Sequence, residues 1–317
     1  MKAFVFVAAG LVACGPSTRG DDDFGDDDGS NGSNNGSNNG SNGQMDACKN
    51  MDIVFVVDDS GSMSEEQSNL GTNFPMFATA IQNFTTNAGD HLDFRIGITT
   101  TGRDLTYEAI QTPIGPFAPP PEFGPNGAFE MQPNCGAGKW LDTSDTTLPT
   151  HLACRANVGT HGASQEMPLL MAKRAVVDRE MDGTQPGFVR DDALLAVVMI
   201  TDEDDSSNTQ DGTLVPAAGA LPINWQPADT ITAFDQLKGG RTRWAAAAIA
   251  GMGNCTSSFG DAVNAARIQD FVTQANSMGS TQAVFSSICD GDLTIGLTAA
   301  LQTFQDACNN IVIGRQQ

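Results

Sequence analysis

Hydrophobic residues along this 317-residue chain fall into two patterns that take turns. Five short, nearly unbroken apolar runs read as strands buried on both faces: Ile53–Val57, Phe94–Thr99, Leu194–Thr201, Ala245–Ala250 and Ala283–Ser287. Stripes of helical period separate most of them. Leu70, Phe74, Phe77, Ile81 and Phe84 are spaced four, three, four and three residues apart, with Pro75 as an expected kink. Met167, Leu170, Ala172 and Val176 predict a second helix that opens near Pro168, and Ile268, Phe271, Val272 and Ala275 a third. Leu293, Leu297, Leu301, Phe304, Cys308 and Ile311 make a long final stripe. Strands alternating with helices predict an α/β fold with a doubly wound, mostly parallel sheet flanked by helices on both faces.

Two stretches break this rhythm. Asp104 to Val158 holds eight of the fifteen prolines together with Cys135 and Cys154. Its Pro119-Pro120-Pro121 run forbids a regular helix and opposes a central strand. A loop of that length inside a domain is normally functional or disordered. The expectation is a proline-rich insertion, about 104–158, that travels over the surface and is partly held by a disulfide. Ser206 to Thr230 reads as a second, smaller insertion.

The amino-terminal part differs in kind. Met1-Lys2 precedes an apolar run from Ala3 to Ala13, which is too short to span a bilayer and suits a secretory signal over residues 1–13. The run ends in Leu11-Val12-Ala13-Cys14-Gly15, which resembles the lipobox of bacterial lipoproteins. That resemblance implies a lipid on Cys14, which becomes the first residue of the mature chain. It also implies, with Gly15 rather than Asp after the cysteine, anchoring in the outer membrane of the cell envelope, facing the periplasm or the exterior. Residues 14–47 carry two aspartate triplets, Asp21 to Asp23 and Asp26 to Asp28, followed by Gly/Ser/Asn repeats. Such a segment buries too little apolar surface to offset its chain entropy and reads as a disordered tether. The folded domain is then 48–317.

Composition narrows the functional classes. Acidic residues number 38 against 16 basic, a net charge of −22. Nothing here neutralises a run of phosphates, so nucleic acid is excluded as a partner, and the only membrane contact expected is through the lipid. Three histidines argue against a histidine-built zinc site. With Cys14 set aside, six cysteines remain in an exported chain, which predicts three disulfides. No Cys-x-x-Cys spacing occurs. Of the fifteen possible pairings the expected set is Cys135–Cys154, Cys255–Cys289 and Cys48–Cys308, although sequence order alone does not decide it.

The most informative segment is Ile53-Val-Phe-Val-Val-Asp58-Asp59-Ser60-Gly61-Ser62-Met63. A buried strand runs into Asp-x-Ser-x-Ser, and an amphipathic helix follows. Open parallel sheets bind ligands at the carboxyl ends of their strands, where Asp58, Ser60 and Ser62 belong. One carboxylate and two hydroxyls are hard oxygen donors suited to magnesium or manganese. The same residue types also suit an Asx turn and helix cap. Asp59, next along the strand, is expected to point away. A second strand ends in Thr201-Asp202-Glu203-Asp204-Asp205, and Asp202 reaches the same sheet edge.

These two segments resemble the von Willebrand factor type A domain with its metal-ion-dependent adhesion site (MIDAS). The resemblance implies that family's Rossmann-like fold, and a Mg2+ or Mn2+ ion held by Asp58, Ser60, Ser62 and Asp202. It also implies a ligand from a loop before the second helix. Ser164 is the candidate there, with Thr160 and Glu166 as rivals. The extra acids Glu203, Asp204 and Asp205 are expected to face solvent. Function by resemblance is non-enzymatic: an envelope-anchored adhesion module whose ion accepts an Asp or Glu carboxylate from an unidentified protein partner. The alternatives are a metal-dependent hydrolase, with a spare carboxylate as general base, and an envelope scaffold with a vestigial site. Against the hydrolase, the chain has neither a Gly-x-Ser-x-Gly elbow nor a phosphate-binding Gly-x-x-x-x-Gly-Lys loop.

Overall fold

The structure, a computed structural model, describes residues 48–86, 89–210, 213–214, 222–257, 260–277, 279 and 281–311. The expected signal segment 1–13, Cys14 and the rest of the tether 14–47 lie outside the described residues. So do 211–212 and 215–221 of the second expected insertion.

Each long apolar run becomes a strand of one sheet. Strand β1 (Asn50–Val57) leads into helix α1 (Ser64–Gln82), which continues through Pro75. Strand β2 (Asp93–Thr100), the short β3 (Leu141–Asp142), α2 (Leu148–Ala156) and α3 (Pro168–Lys173) follow. After α3 the chain widens into a π turn, Arg174–Asp178. Next come β4 (Ala193–Ile200), α4 (Pro227–Lys238), β5 (Trp244–Ala250) and a hairpin of β6 (Cys255–Ser257) and β7 (Gly260–Ala262). The last elements are α5 (Ala266–Ala275), β8 (Ala283–Ser287) and α6 (Leu293–Asn310).

The six-stranded sheet has the order β8-β5-β4-β1-β2-β3, with only β3 antiparallel. This is the doubly wound, mostly parallel arrangement expected. Strand alternation divides the core in two. Ile53, Phe55 and Val57 face a layer that includes α1, α2 and α6, while Val54 and Val56 face α3, α4 and α5. Phe55 packs between Phe74 and Phe77, with ring centroids 4.9 and 5.2 Å away, each pair worth about 1 kcal/mol beyond its buried area. Sequence order reverses direction between β1 and β4, so a crevice opens at their carboxyl ends.

The proline-rich insertion is shorter than expected. Its last third is part of the domain: β3 extends the sheet, and α2 buries Leu148, Leu152 and Ala156 against the α1 side of the core. Pro149 does not prevent this helix, because it stands in the first turn, where a missing N–H costs nothing. The three expected disulfides, Cys48–Cys308, Cys135–Cys154 and Cys255–Cys289, are all present. No described helix is long and apolar enough to cross a membrane.

Candidate metal centre

Both strands that flank the crevice end in aspartate. Asp58 follows β1 and is fully buried. Its Oδ1 accepts from the Ser60 backbone N–H at 2.8 Å, and its Oδ2 accepts from the Thr201 hydroxyl at 2.6 Å. The Asp58 N–H donates to the Ile200 carbonyl, which locks the ends of β1 and β4 together. Gln67, one turn into α1, donates from Nε2 to the Asp58 carbonyl at 2.8 Å. The Asp-x-Ser-x-Ser turn is therefore fixed from three sides. Within it the Ser60 and Ser62 hydroxyls stand 2.9 Å apart.

Asp202 follows β4 and is 2% exposed. Ser62 hydrogen-bonds its carboxylate, yet Oδ1 is buried without a partner among the described residues. Burial, and then the nearby Asp58 charge, push its carboxyl up to about 7. Burial likewise raises Asp58, with Glu203 adding to the shift. The charged neighbours of this pair are negative, so two carboxylates converge without a counter-charge.

The second loop departs from expectation. Ser164 is exposed and engaged elsewhere: its hydroxyl and N–H both donate to Glu122 of the insertion, at 2.8 Å each. Its rival Glu166 is buried and close to Asp58. Burial, then the Asp58 charge and a side-chain hydrogen bond with Glu203, push the Glu166 carboxyl up to about 10. Thr160 lies nearer the turn, its carbonyl 4.0 Å from where a Cβ on Gly61 would be.

The remaining acids do not merely face solvent. Asp205 is buried and accepts from Leu169 N–H at the start of α3 and from the Ser207 hydroxyl, with Arg267 beside it. Asp204 accepts from the N–H groups of Arg267 and Ile268 in the first turn of α5. The acidic run thus ties two helices to the loop that carries Asp202. These ties join residues 36 to 64 positions apart, a separation at which the sequence carries no local signal.

Glu66 is a further buried acid near the centre. Burial and the Asp202 charge push it up to about 7, and its Oε2 lacks a partner among the described residues. It packs on Gly260 of β7, where a Cβ would come within 1.7 Å of Oε1. The β6–β7 hairpin is stapled to Cys289 and accepts no slack, because Val263 N–H donates to the Asp202 carbonyl at 2.9 Å. Beside it a cleft of 410 Å³ is lined by Ser62, Asp202, Glu203, Thr256, Asp261 and Val263.

The donor set fits a hard divalent cation. Asp58 and Asp202 supply charge, Ser60 and Ser62 supply neutral oxygens, and the partnerless Asp202 Oδ1 marks an unfilled demand. Among the described residues no three Asp, Glu, His or Cys side chains cluster closely enough to hold an ion alone, so the hydroxyls are needed.

No family model matches the chain, and no curated protein is similar to it in sequence. Solved structures are similar at low identity. Proximal thread matrix protein 1 from the mussel byssus, with a zinc-occupied MIDAS motif, is 13% identical with a TM-score of 0.41, over 83% of this chain and 49% of that one. The pilus adhesin SpaC from Lactobacillus rhamnosus GG is 12% identical with a TM-score of 0.38, over 84% and 30%. The PilB minor pilin of Streptococcus sanguinis is 12% identical with a TM-score of 0.39, over 83% and 61%. The chain spans about half the length of the mussel protein it matches.

Proposed function

We propose that this chain is a von Willebrand factor type A module that binds a protein partner through a divalent cation, Mg2+ or Mn2+, and is not an enzyme. The observation that carries the reading is the meeting of Asp58 and Asp202 with the Ser60 and Ser62 hydroxyls at the point where strand order reverses. Bound there, the cation supplies a positive centre that accepts a carboxylate oxygen from a partner's Asp or Glu. The chain's own residues keep that centre positive. Ser60 and Ser62 add no charge. Thr201, Gln67 and the Ser60 N–H hold Asp58 in place before any ion arrives. Glu166 replaces Ser164 as the second-loop residue of this proposal. The module acts at the cell envelope, held by the lipid on Cys14.

Calorimetric titration with magnesium and manganese tests the centre. One ion should bind the wild type, with much weaker binding to Asp58→Ala and Asp202→Ala. Equal affinity in all three proteins would remove the basis of the adhesion reading.

A further inference from the structure

The carboxyl edge of the sheet carries a covalent link. Strands β5 and β8 run parallel to β1 and β4, so the loops after them reach the same edge as Asp58 and Asp202. Cys255 opens the hairpin that follows β5, Cys289 stands just after β8, and the two are bridged. The other two bridges each contain a buried cysteine: Cys48 and Cys308 in one, Cys135 in the other. Cys255 and Cys289 are both partly exposed, and Cys255 lines the 410 Å³ cleft together with Ser62 and Asp202. This bridge is therefore open to a thiol arriving through the cleft, and exposure is what makes a disulfide labile.

The bridge also holds the hairpin against charges of its own sign. Strand β7 carries Asp261, which repels Glu66, as Asp202 does. The β7 backbone nevertheless lies directly on the Glu66 carboxyl at Gly260. One residue beyond β7, the Val263 N–H donates to the Asp202 carbonyl at 2.9 Å. Cys289 is thus connected through the hairpin to the backbone of a proposed metal ligand. The non-covalent hold is slight: each strand has three residues, Ala262 is a small side chain to bury, and a two-stranded hairpin is marginal by itself.

Building on the metal-centre reading, we propose that the Cys255–Cys289 bridge is a redox switch: its reduction by a dithiol releases the β6–β7 hairpin and lowers the affinity for the cation. One thiolate of the dithiol attacks a bridge sulfur and expels the other cysteine as a thiolate. The second thiol of the reductant then breaks the mixed disulfide. Two electrons pass to the bridge, the dithiol becomes a disulfide, and its protons end on Cys255 and Cys289. The freed hairpin lifts under the repulsion from Glu66, and Asp202 loses both its cover and its backbone partner. By linkage, the factor that reduction takes from metal affinity is the factor by which bound metal protects the bridge.

The tests use the full chain, with magnesium as the probe. In mixtures of reduced and oxidised dithiothreitol, alkylation and mass spectrometry of each cysteine should show Cys255–Cys289 opening before the other two bridges. A change in the support behind a metal ligand is worth roughly tenfold or more in affinity. Saturating magnesium should therefore lower the midpoint of this bridge by about 30 mV, the equivalent of tenfold for a two-electron couple. By calorimetry, Cys255→Ser combined with Cys289→Ser should bind magnesium about tenfold more weakly than the wild type. A bridge that opens no earlier than the others, a midpoint unmoved by magnesium, or equal affinity in the double variant would overturn the switch and leave the metal centre standing. No magnesium binding by the oxidised wild type would remove the metal centre, and the switch with it. If the double variant fails to fold, the midpoint shift of the wild type decides alone.

Discussion

Replacing Asp202 by asparagine should stabilise the metal-free protein while abolishing its response to magnesium. In the fold, burial and Asp58 raise the Asp202 carboxyl from its ordinary 3.8 to about 7. A carboxyl raised on folding holds its proton more tightly in the native state. Stability is therefore greatest below the unfolded value, near pH 4, and is lost as pH rises toward 7. Three pH units at about 1.4 kcal/mol each put the full loss near 4 kcal/mol once Asp202 is ionised. Asparagine keeps an acceptor for Ser62 and carries no charge. Near pH 8 in chelator, Asp202→Asn should thus exceed the wild type by up to about 4 kcal/mol, and near pH 4 the two should converge. Saturating magnesium should narrow that gap. At a hundredfold excess over its dissociation constant it adds about 2.7 kcal/mol to the wild type and nothing to the variant. Urea denaturation at both pH values, with and without magnesium, measures all four quantities. A variant less stable than the wild type near pH 8 in chelator would refute the charge conflict. A variant that still gains from magnesium would refute the ligand assignment.

Gly162→Ala should cost about 1–3 kcal/mol by thermal denaturation, because its Cβ would meet the Asp59 carboxylate at 2.1 Å; an unchanged melting temperature would show the loop to be loose. Cys14→Ser should move the protein out of the membrane fraction or leave it unprocessed, and a wild-type mature chain beginning anywhere but at a lipidated Cys14 by mass spectrometry would refute the anchor.

The central strands were legible because they are buried on both faces and so read as unbroken apolar runs. β1 begins at Asn50 rather than Ile53 because its first turn of pairing involves Met51 and the buried Asp52, whose polarity hides the strand. The Asp-x-Ser-x-Ser turn was legible because its chemistry lies within five consecutive residues. What escaped depends on contacts between distant segments. β3 has only two residues and takes its identity from pairing with Arg95 and Ile96. Helix α2 is hidden by Pro149, whose harmlessness follows from its position in the first turn. The choice among Ser164, Thr160 and Glu166 turns in part on Glu122, some 42 residues from Ser164, which engages the serine. Asp204 and Asp205 look like surplus surface charge until the first turns of α3 and α5 are placed beside them.

The Cys48–Cys308 bridge has a mechanical consequence. It closes at the amino end of β1, with Cα atoms 5.1 Å apart, while Asp58 stands at the opposite end of the same strand. Tension between the chain's entry at Cys48 and a partner held at Asp58 would run along β1 itself. That strand is central and pairs in parallel with β2 and β4 over all eight residues. Such a load shears two complete ladders at once instead of unzipping one from an end. The bridge also shares the load with α6, so the last helix cannot peel away before the sheet yields.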